Sequence, residues 1–417
     1  MRGPRSLVDR PDAPDESGAG EDGLRRITRR AALSLGGAVA GAVTAGHALP
    51  ALAAHEPRRP TPDRPPPSTD LVSYEEAVLA FRCHGFHLEM LDRPITPLGS
   101  HYVLIHFDIP TLQAENYAIT VGGRVNKELT LTLEDLKARP AVKQPTIMEC
   151  AGVGRSYAHP RSIYVPWFSE PMGVYEYTGT PLRPILEEAG LLDDATEVVF
   201  TGFDVGIDLG VKHAFERALP IDDALKDGVM LAWDANDQAL LPEHGFPLRL
   251  IVPTWYGMQS VKFLKQITVI DHTYQGVENK QVYRLTPSLS DGGRAVELKA
   301  VKSLIRPPGF PDLITRRRFV DRGKQLLEGK AWSGHGPIVK VEVSTDDRRT
   351  FRPAKLGDQI SLAWTPWTFE WTPPGPGDFI LSVRATDAEG NTQPLEARWN
   401  VQGMAQNMVQ RLGVTVQ

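Results

Sequence analysis

The chain has 417 residues, of which 41% are hydrophobic and 23% charged, and its formal net charge is -5. These values are ordinary for a soluble globular protein of two or three domains, and they offer no basic surface for nucleic acid. The two cysteines, Cys83 and Cys150, are too few for a disulfide scaffold or a four-cysteine zinc site, and they lie too far apart in sequence for a CxxCH haem attachment.

The N-terminal segment, residues 1–54, is typical of an export signal. Its paired arginines, Arg29 and Arg30, precede a stretch rich in Ala and Gly, which contains a cleavage-like Ala51-Leu52-Ala53. Paired arginines in this position favour the twin-arginine pathway. A membrane anchor and an ordinary basic signal are the alternatives, but Pro50 disfavours a stable spanning helix. We therefore expect the protein in the periplasm or elsewhere on the extracytoplasmic side.

A long mixed region follows the signal. Residues 55–70 are rich in proline and predict an extended linker. Residues 71–285 alternate β-type and helical runs, with buried strands predicted at 146–148, 198–200 and 248–252 and a helix at 181–189. Proline at the start of that helix and Gly190 at its end are the usual boundary signals.

The pattern changes in residues 286–417. Helix signals become rare, and strand-like runs recur at 339–343, 369–371, 379–383 and 412–416, with turn residues between them. Short strands separated by regular turns predict an all-β sandwich. The fold class is therefore α+β, with a mixed α/β domain at 71–285 followed by an immunoglobulin-like sandwich at 286–417.

Cys150 is the most informative residue for chemistry. It follows a strand-like run and begins the sequence CAGVGR, whose small residues allow the backbone to approach a ligand closely. The positive charge of Arg155 favours the thiolate, which is the form that a soft metal binds. On the residues alone, a buried structural cysteine and a disulfide with Cys83 remain open alternatives.

Several segments resemble the sulfite oxidase family of molybdopterin-dependent oxidoreductases. CAGVGR is similar to the family's CAGN-R signature, and HGFPLR at 244–249 is similar to its HGFPxR segment. Further similarities extend the match over about residues 90 to 416; they are Thr96-Pro97, Tyr102, Thr178-Gly179, Pro181-Leu182, Val252-Pro253, Ala331-Trp332-Ser333-Gly334, Val343-Ser344 and Trp399-Asn400. The resemblance implies a molybdopterin domain followed by a dimerisation domain.

The resemblance also implies a molybdenum cofactor with Cys150 as the ligand of the metal. The residues implied in cofactor binding are His106, Cys150, Asp204, His244, Arg249, Ser260 and Lys262. Arginine and lysine suit a phosphate, and histidine suits the edge of a pterin ring. Arg155, Trp167 and Phe215 are implied at the substrate pocket. Taken singly, each of these could instead be a surface ion pair or a packed core residue.

The sequence departs from the family at the expected substrate pocket. Animal and plant sulfite oxidases have an arginine two residues before the histidine matching His106, and here this residue is Leu104. Phe215 lies where we expect the family's active-site tyrosine, residues 359–364 lack a basic residue, and Val153 replaces the asparagine of CAGN. A small dianion needs fixed cations and donors. We therefore expect a pocket that is less positive and more apolar than that of a sulfite oxidase.

The resemblance implies a two-electron oxygen-atom transfer on a small sulfur compound, sulfite or a sulfite-like molecule. The electrons would leave to an external carrier, a cytochrome c or a membrane-linked carrier, and the protein would form a homodimer. One alternative is a reductase of sulfoxides or other oxides on the same fold. The other is an exported binding protein without a cofactor, which the retained Cys150, His244, Arg249 and Lys262 disfavour.

Overall fold

Short helices and many strands make up the part of the chain that the computed structural model describes, residues 74–288 and 290–417. The predicted signal and proline-rich linker lie outside these residues. The α-helices are α1 (Tyr74–Phe81), α2 (Leu133–Lys137), α3 (Arg183–Ala189) and α4 (Ile221–Ala224). Single turns of 3₁₀ helix occur at Leu88–Asp92, Ala114–Asn116, Arg155–Tyr157, Pro242–His244 and Gly257–Gln259, and a π-helical turn at Glu278–Val282. No helix within the described ranges is long and apolar enough to span a bilayer.

Strands carry most of the structure. In the N-terminal region they are β1 (Ala118–Gly123), β2 (Leu129–Thr132), β3 (Val142–Glu149), β4 (Met172–Pro181), β5 (Glu197–Asp208), β6 (Val211–Pro220), β7 (Met230–Ala235), β8 (Gln238–Ala239), β9 (Arg249–Ile251), β10 (Leu264–Ile270), β11 (Arg284–Leu285) and β12 (Arg294–Ala295). In the C-terminal region they are β13 (Lys302–Ile305), β14 (Phe310–Pro311), β15 (Arg318–Val320), β16 (Gln325–Trp332), β17 (Ile338–Ser344), β18 (Arg352–Pro353), β19 (Lys355–Leu356), β20 (Thr365–Trp371), β21 (Gly377–Asp387) and β22 (Gln410–Val416).

Two sheets build the N-terminal region. One has the order β2-β1-β10-β5-β6, and the other has the order β3-β4-β7-β8 with β9 also paired to β7. The predicted helix begins at Arg183 rather than at Pro181, because Pro181 still belongs to β4. It ends as predicted at Gly190, whose φ of 71° is easily reached by glycine. The predicted strand at 248–252 is the shorter β9.

The C-terminal strands β13–β22 form a sandwich of two sheets, which confirms the predicted fold class. Their orders are β13-β16-β20-β19 and β14-β15-β22-β21-β17-β18. Side chains of both sheets meet in one core, with Leu327 and Trp367 from the first sheet and Leu381 and Val414 from the second. The predicted boundary at 285/286 falls within the β11–β12 hairpin, and the first strand of the sandwich begins at Lys302.

Strand β3 is packed between the two regions. Its Ile147 lies in a buried cluster with Val174 of β4 and with Leu304 and Trp332 of the sandwich. The backbone N–H of Ile147 donates to the carbonyl oxygen of Leu362 at 3.3 Å. The strand that leads to Cys150 is therefore held by both halves of the described structure.

Candidate active site

A cavity that opens to solvent lies where β3 ends. Its wall comes from the end of β3, from β5 and β6, and from the segments around residues 101–106, 243–249 and 257–262. The lining residues are His101, Tyr102, Leu104, His106, Met148, Cys150, Ala151, Asp204, Phe215, Glu243, His244, Arg249, Gly257, Met258, Ser260, Lys262 and Tyr283. Every residue predicted to contact the cofactor or substrate is among them, except Arg155 and Trp167.

Cys150 presents a free thiol to this cavity. It follows the last residue of β3, is 7% exposed, and its sulfur accepts the N–H of Gly152 at 3.4 Å. Both cysteines are unpaired, as predicted. Burial raises the pKa of the Cys150 thiol to about 11, because the charged thiolate loses hydration, and the charge of Arg155 only partly opposes this effect. A thiolate here needs a further cation, which a metal would supply.

Among the described residues, side chains alone do not make a complete metal site. Within the described ranges, no group of three or more His, Cys, Asp or Glu side chains could hold a metal ion. Cys150 could therefore bind a metal only if a cofactor provided the other ligands. A pterin dithiolene fits this requirement, since its sulfurs and the cysteine thiolate are all soft donors.

Five polar residues, which we call the polar wall, line the cavity beside Cys150; they are Asp204, His244, Arg249, Ser260 and Lys262. The Arg249 guanidinium donates to the carbonyl oxygens of His244 at 2.8 Å and Ser260 at 3.1 Å. The Lys262 ammonium donates to the carbonyl oxygens of Leu104 and Glu243, both at 2.9 Å. Two cations thus fix the backbone of the segments that form the wall.

Glycine at position 245 is what allows this arrangement. Gly245 has a φ of 106°, and a Cβ there would lie 3.1 Å from the Cβ of Arg249 and 3.2 Å from that of Lys262. Most side chains at this position would strain the backbone and crowd both cations. The glycine of the HGFPLR segment therefore lets Arg249 and Lys262 pack closely against this turn.

Three buried polar atoms of the polar wall have no hydrogen-bond partner in the described structure: Asp204 Oδ1, His244 Nε2 and Arg249 Nε. Such an atom typically costs about 1–3 kcal/mol when it stays unsatisfied. Burial lowers the pKa of His244 to about 2, so the imidazole is neutral, and raises that of Asp204 to about 6. A polar ring compound bearing a phosphate would satisfy these groups, so the wall fits molybdopterin.

Another part of the lining is aromatic, and we call His106, Phe215 and Tyr283 the aromatic wall. His106 stacks on Phe215 with ring centroids 4.4 Å apart, and its Nε2 lies 2.7 Å from the Tyr283 hydroxyl. Burial lowers the pKa of His106 to about 3, and the nearby charges of Lys262 and Arg217 add to this, so the ring is neutral. In this wall His106 Nε2 and the Tyr283 hydroxyl are thus partners of each other.

Tyr283 brings a phenol to the wall where Phe215 lacks one. Phe215 does lie in the cavity, but Tyr283, at the end of the π-helical turn Glu278–Val282, brings a hydroxyl to the same wall. Below it, the guanidinium of Arg217 lies 5.0 Å from the centre of the Tyr283 ring. Leu104 lines the cavity as expected, so no arginine occupies that position.

Arg155 lies behind the thiol and is not on the cavity wall. It is 5% exposed, and its guanidinium donates to the carbonyl oxygens of Gln402 and Val165, each at 2.8 Å. Trp167 packs with Cys150 and Val165 in a small buried cluster. Both residues are thus close to the thiol, and the positive charge of Arg155 acts to lower the pKa of Cys150.

Several residues that line the cavity have no distinguishing signal in the sequence. His101 lies with its ring 5.3 Å from that of His244, and burial lowers its pKa to about 3. Tyr102 belongs to a segment that resembles the family, whereas no local sequence pattern marks Tyr283 or Glu243. Only the tertiary fold brings these two residues to the cavity.

Two family models match the chain. Residues 106–278 match the oxidoreductase molybdopterin binding domain, and residues 294–417 match the Mo-co oxidoreductase dimerisation domain. Both matches agree with the functions expected from the residues of each region.

Curated relatives and one solved structure are similar over most of the chain. The chain is 30% identical to a nitrate reductase [NADH] of Ulva prolifera, and the match covers 76% of this chain and 40% of that protein. It is 29% identical to the mitochondrial sulfite oxidase of Drosophila melanogaster over 77% of its length, which is 59% of that protein. The chain thus spans about half the length of these relatives. The crystal structure of the sulfane dehydrogenase SoxCD from Paracoccus pantotrophus is similar with a TM-score of 0.67 and 26% identity, over 83% of this chain and 90% of that one.

Proposed function

Because the chain belongs to the sulfite oxidase family of molybdopterin-dependent oxidoreductases, we propose that it exchanges an oxygen atom with a small sulfur-containing substrate. Its cofactor is the molybdenum cofactor. The observation that carries the proposal is the position of the Cys150 thiol beside a polar wall whose buried atoms lack partners. Cys150 would bind the metal, and the polar wall would hold the pterin and its phosphate.

When bound, the cofactor supplies two-electron redox chemistry coupled to oxygen-atom transfer. In the oxidative direction the balance is substrate plus water to the oxygenated product, two protons and two electrons. For sulfite the product is sulfate. The chain must bind and orient the substrate, exclude bulk water and leave a route for the electrons.

The aromatic wall would orient the substrate. Burial holds the pKa of the Tyr283 hydroxyl well above its usual range, so the phenol stays protonated and can donate a hydrogen bond. With its proton on Nε2, the neutral His106 ring would donate to the phenol oxygen and leave the phenol proton free for the substrate. The cations of the cavity lining, Arg249 and Lys262, are engaged with backbone carbonyls. This lining suits a neutral or weakly charged sulfur oxide better than a dianion.

A reductase is the second candidate function. The neutral aromatic wall would accept a sulfoxide or another neutral oxide, and relatives of the chain include proteins named nitrate reductase. The reaction would then run in reverse, consuming two protons and two electrons and releasing water. Sulfite oxidation with an electron acceptor and sulfoxide reduction with a reduced dye distinguish the two directions.

The partners and location of the enzyme are further parts of the proposal. An external carrier would take the electrons one at a time. A cytochrome c suits this task, because Cys83 and Cys150 lie too far apart in sequence to form a CxxCH haem attachment within this chain. The matched dimerisation domain supports a homodimer formed through the C-terminal sandwich. Arg29-Arg30 supports export by the twin-arginine pathway.

The test starts from protein produced in a host that makes the cofactor. We expect molybdenum and pterin in stoichiometric amounts and turnover of small sulfur compounds in one of the two directions. Protein that folds in such a host without molybdenum would favour the binding-protein alternative. Molybdenum-loaded protein without turnover on any sulfur compound would refute the proposed substrate class only.

A further inference from the structure

Glu149 joins the strand before Cys150 to the C-terminal sandwich. Its side chain is 1% exposed. One carboxylate oxygen accepts the indole N–H of Trp332 at 2.9 Å, and the other lies 3.3 Å from the ammonium of Lys302. Trp332 and Lys302 belong to sandwich strands β16 and β13. Since neighbouring residues of a strand face opposite sides, Met148 lines the cavity while Glu149 faces the sandwich.

The turn after Cys150 is also held by the C-terminal region. The N–H of Ala405 donates to the carbonyl oxygen of Ala151 at 2.7 Å, and Arg155 donates to the carbonyl oxygen of Gln402 at 2.8 Å. A Cβ at Gly154 would lie 2.7 Å from the Cβ of Gln406, so the two segments touch. The C-terminal region therefore contacts the chain directly before Cys150, at Glu149, and directly after it, at Ala151.

We propose that Glu149 is a positioning residue, through which the C-terminal sandwich sets the direction from which the Cys150 thiol faces the cavity. A buried carboxylate is costly unless its partners are well placed. Here the indole N–H of Trp332 bonds one oxygen, and the ammonium of Lys302 forms an ion pair with the other at 3.3 Å. Contacts beyond the ligands orient a ligand and tune its metal. The sandwich therefore has a role at the metal in addition to dimerisation. This inference rests on the proposed role of Cys150 as the metal ligand.

The test uses holoenzyme and two variants of the junction. Trp332→Phe removes the indole N–H but keeps the aromatic ring, and Glu149→Gln removes the charge that faces Lys302. Trp364→Phe is the matched control, because Trp364 is also a buried sandwich indole but donates to the carbonyl oxygen of Pro94 at 3.1 Å. The readouts are metal content, thermal unfolding, and the electronic absorption and electron paramagnetic resonance spectra of the metal centre.

We expect both junction variants to keep the metal and to show shifted absorption maxima and shifted resonance positions, whereas Trp364→Phe keeps the wild-type spectra. Wild-type spectra in both junction variants would overturn the proposal, and so would an equal shift in the control. If Glu149→Gln does not fold, Trp332→Phe decides alone. If neither variant folds while the control does, the contacts serve stability and the proposal fails.

Cys150→Ser, measured in the same way, separates this inference from the proposed function. Unchanged metal content and spectra in Cys150→Ser would refute the role of Cys150 as a ligand. A changed spectrum in Cys150→Ser, together with wild-type spectra in both junction variants, would refute only the positioning role of Glu149.

Discussion

The polar wall and the aromatic wall of the cavity differ in how their buried polar atoms are satisfied. On the polar wall, Asp204 Oδ1, His244 Nε2 and Arg249 Nε lack partners. On the aromatic wall, His106 and Tyr283 bond to each other. Unsatisfied buried atoms destabilise a protein unless a ligand pairs with them. We therefore propose that the polar wall holds the resident cofactor and that the aromatic wall contacts the substrate.

The largest expected effect comes from the thiol beside the polar wall. Cys150→Ser should lower turnover by more than about a hundredfold, because a hydroxyl oxygen is a harder and weaker donor than a thiolate. The protein should still fold, since the substitution is nearly isosteric. Steady-state kinetics and thermal unfolding of the purified variant check both statements. Turnover within a few-fold of wild type would remove Cys150 from the site.

Arg249→Met tests whether the polar wall, rather than the aromatic wall, holds the cofactor. Loss of the guanidinium frees the carbonyl oxygens of His244 and Ser260 and removes a phosphate-binding cation, so cofactor retention should fall roughly 10- to 100-fold. Arg217→Met is the matched control, since Arg217 is also a buried arginine but lies beneath the aromatic wall. We expect the control to lose stability and keep its cofactor. Equal cofactor loss in both variants would contradict the assignment of the walls.

Leu104→Arg tests the substrate side of the cavity. An arginine hydrogen bond to an anion is worth about 1.5–3 kcal/mol, so the variant should improve kcat/KM for sulfite by roughly ten- to a hundredfold. Leu104→Met controls for the change of shape. Efficient sulfite turnover by the wild type, with no gain in Leu104→Arg, would show that the lining already holds a dianion well.

The smallest expected effect concerns pH and the stability of the cofactor-free protein. Burial is the main cause that raises the pKa of Asp204 from 3.8 to about 6. The folded state thus holds this proton more tightly than the unfolded state, and stability falls as the pH rises from 3.8 to about 6. Asp204→Asn removes this loss, which is on the order of 3 kcal/mol at pH 7.

Thermal unfolding of both cofactor-free proteins between about pH 4 and pH 7 provides the measurement. The melting temperature of Asp204→Asn should exceed that of the wild type at pH 7, and the difference should shrink toward pH 4. A difference that does not depend on pH would contradict the assigned cause. In the holoprotein we expect Asp204→Asn to retain less cofactor than the wild type.

Sequence could predict the polar wall because its determinants are local. Cys150 directly follows a strand with a buried pattern, and His244 and Arg249 lie within one six-residue segment. The same holds for the sandwich, whose strands are separated by short turns. The fold class followed from these patterns. The resemblance to the family indicated the residues of the polar wall, and the structure brings them to one cavity.

The aromatic wall and the surroundings of the thiol could not be predicted in this way. Tyr283 reaches the cavity from a π-helical turn that has no sequence pattern of its own. Arg155 donates to the carbonyl oxygen of Gln402, a residue 247 positions away in the chain. These arrangements depend on how distant segments pack, so Arg155 was expected at the substrate and was found behind the thiol.

X-ray absorption at the molybdenum edge tests the central claim most directly, because it counts the atoms bound to the metal. Holoenzyme of the wild type and of Cys150→Ser would be compared after metal contents are matched. The account predicts one sulfur ligand fewer in the variant than in the wild type. The same number of sulfur ligands in both proteins would contradict it, since the metal would then not be bound by the thiolate at the end of β3.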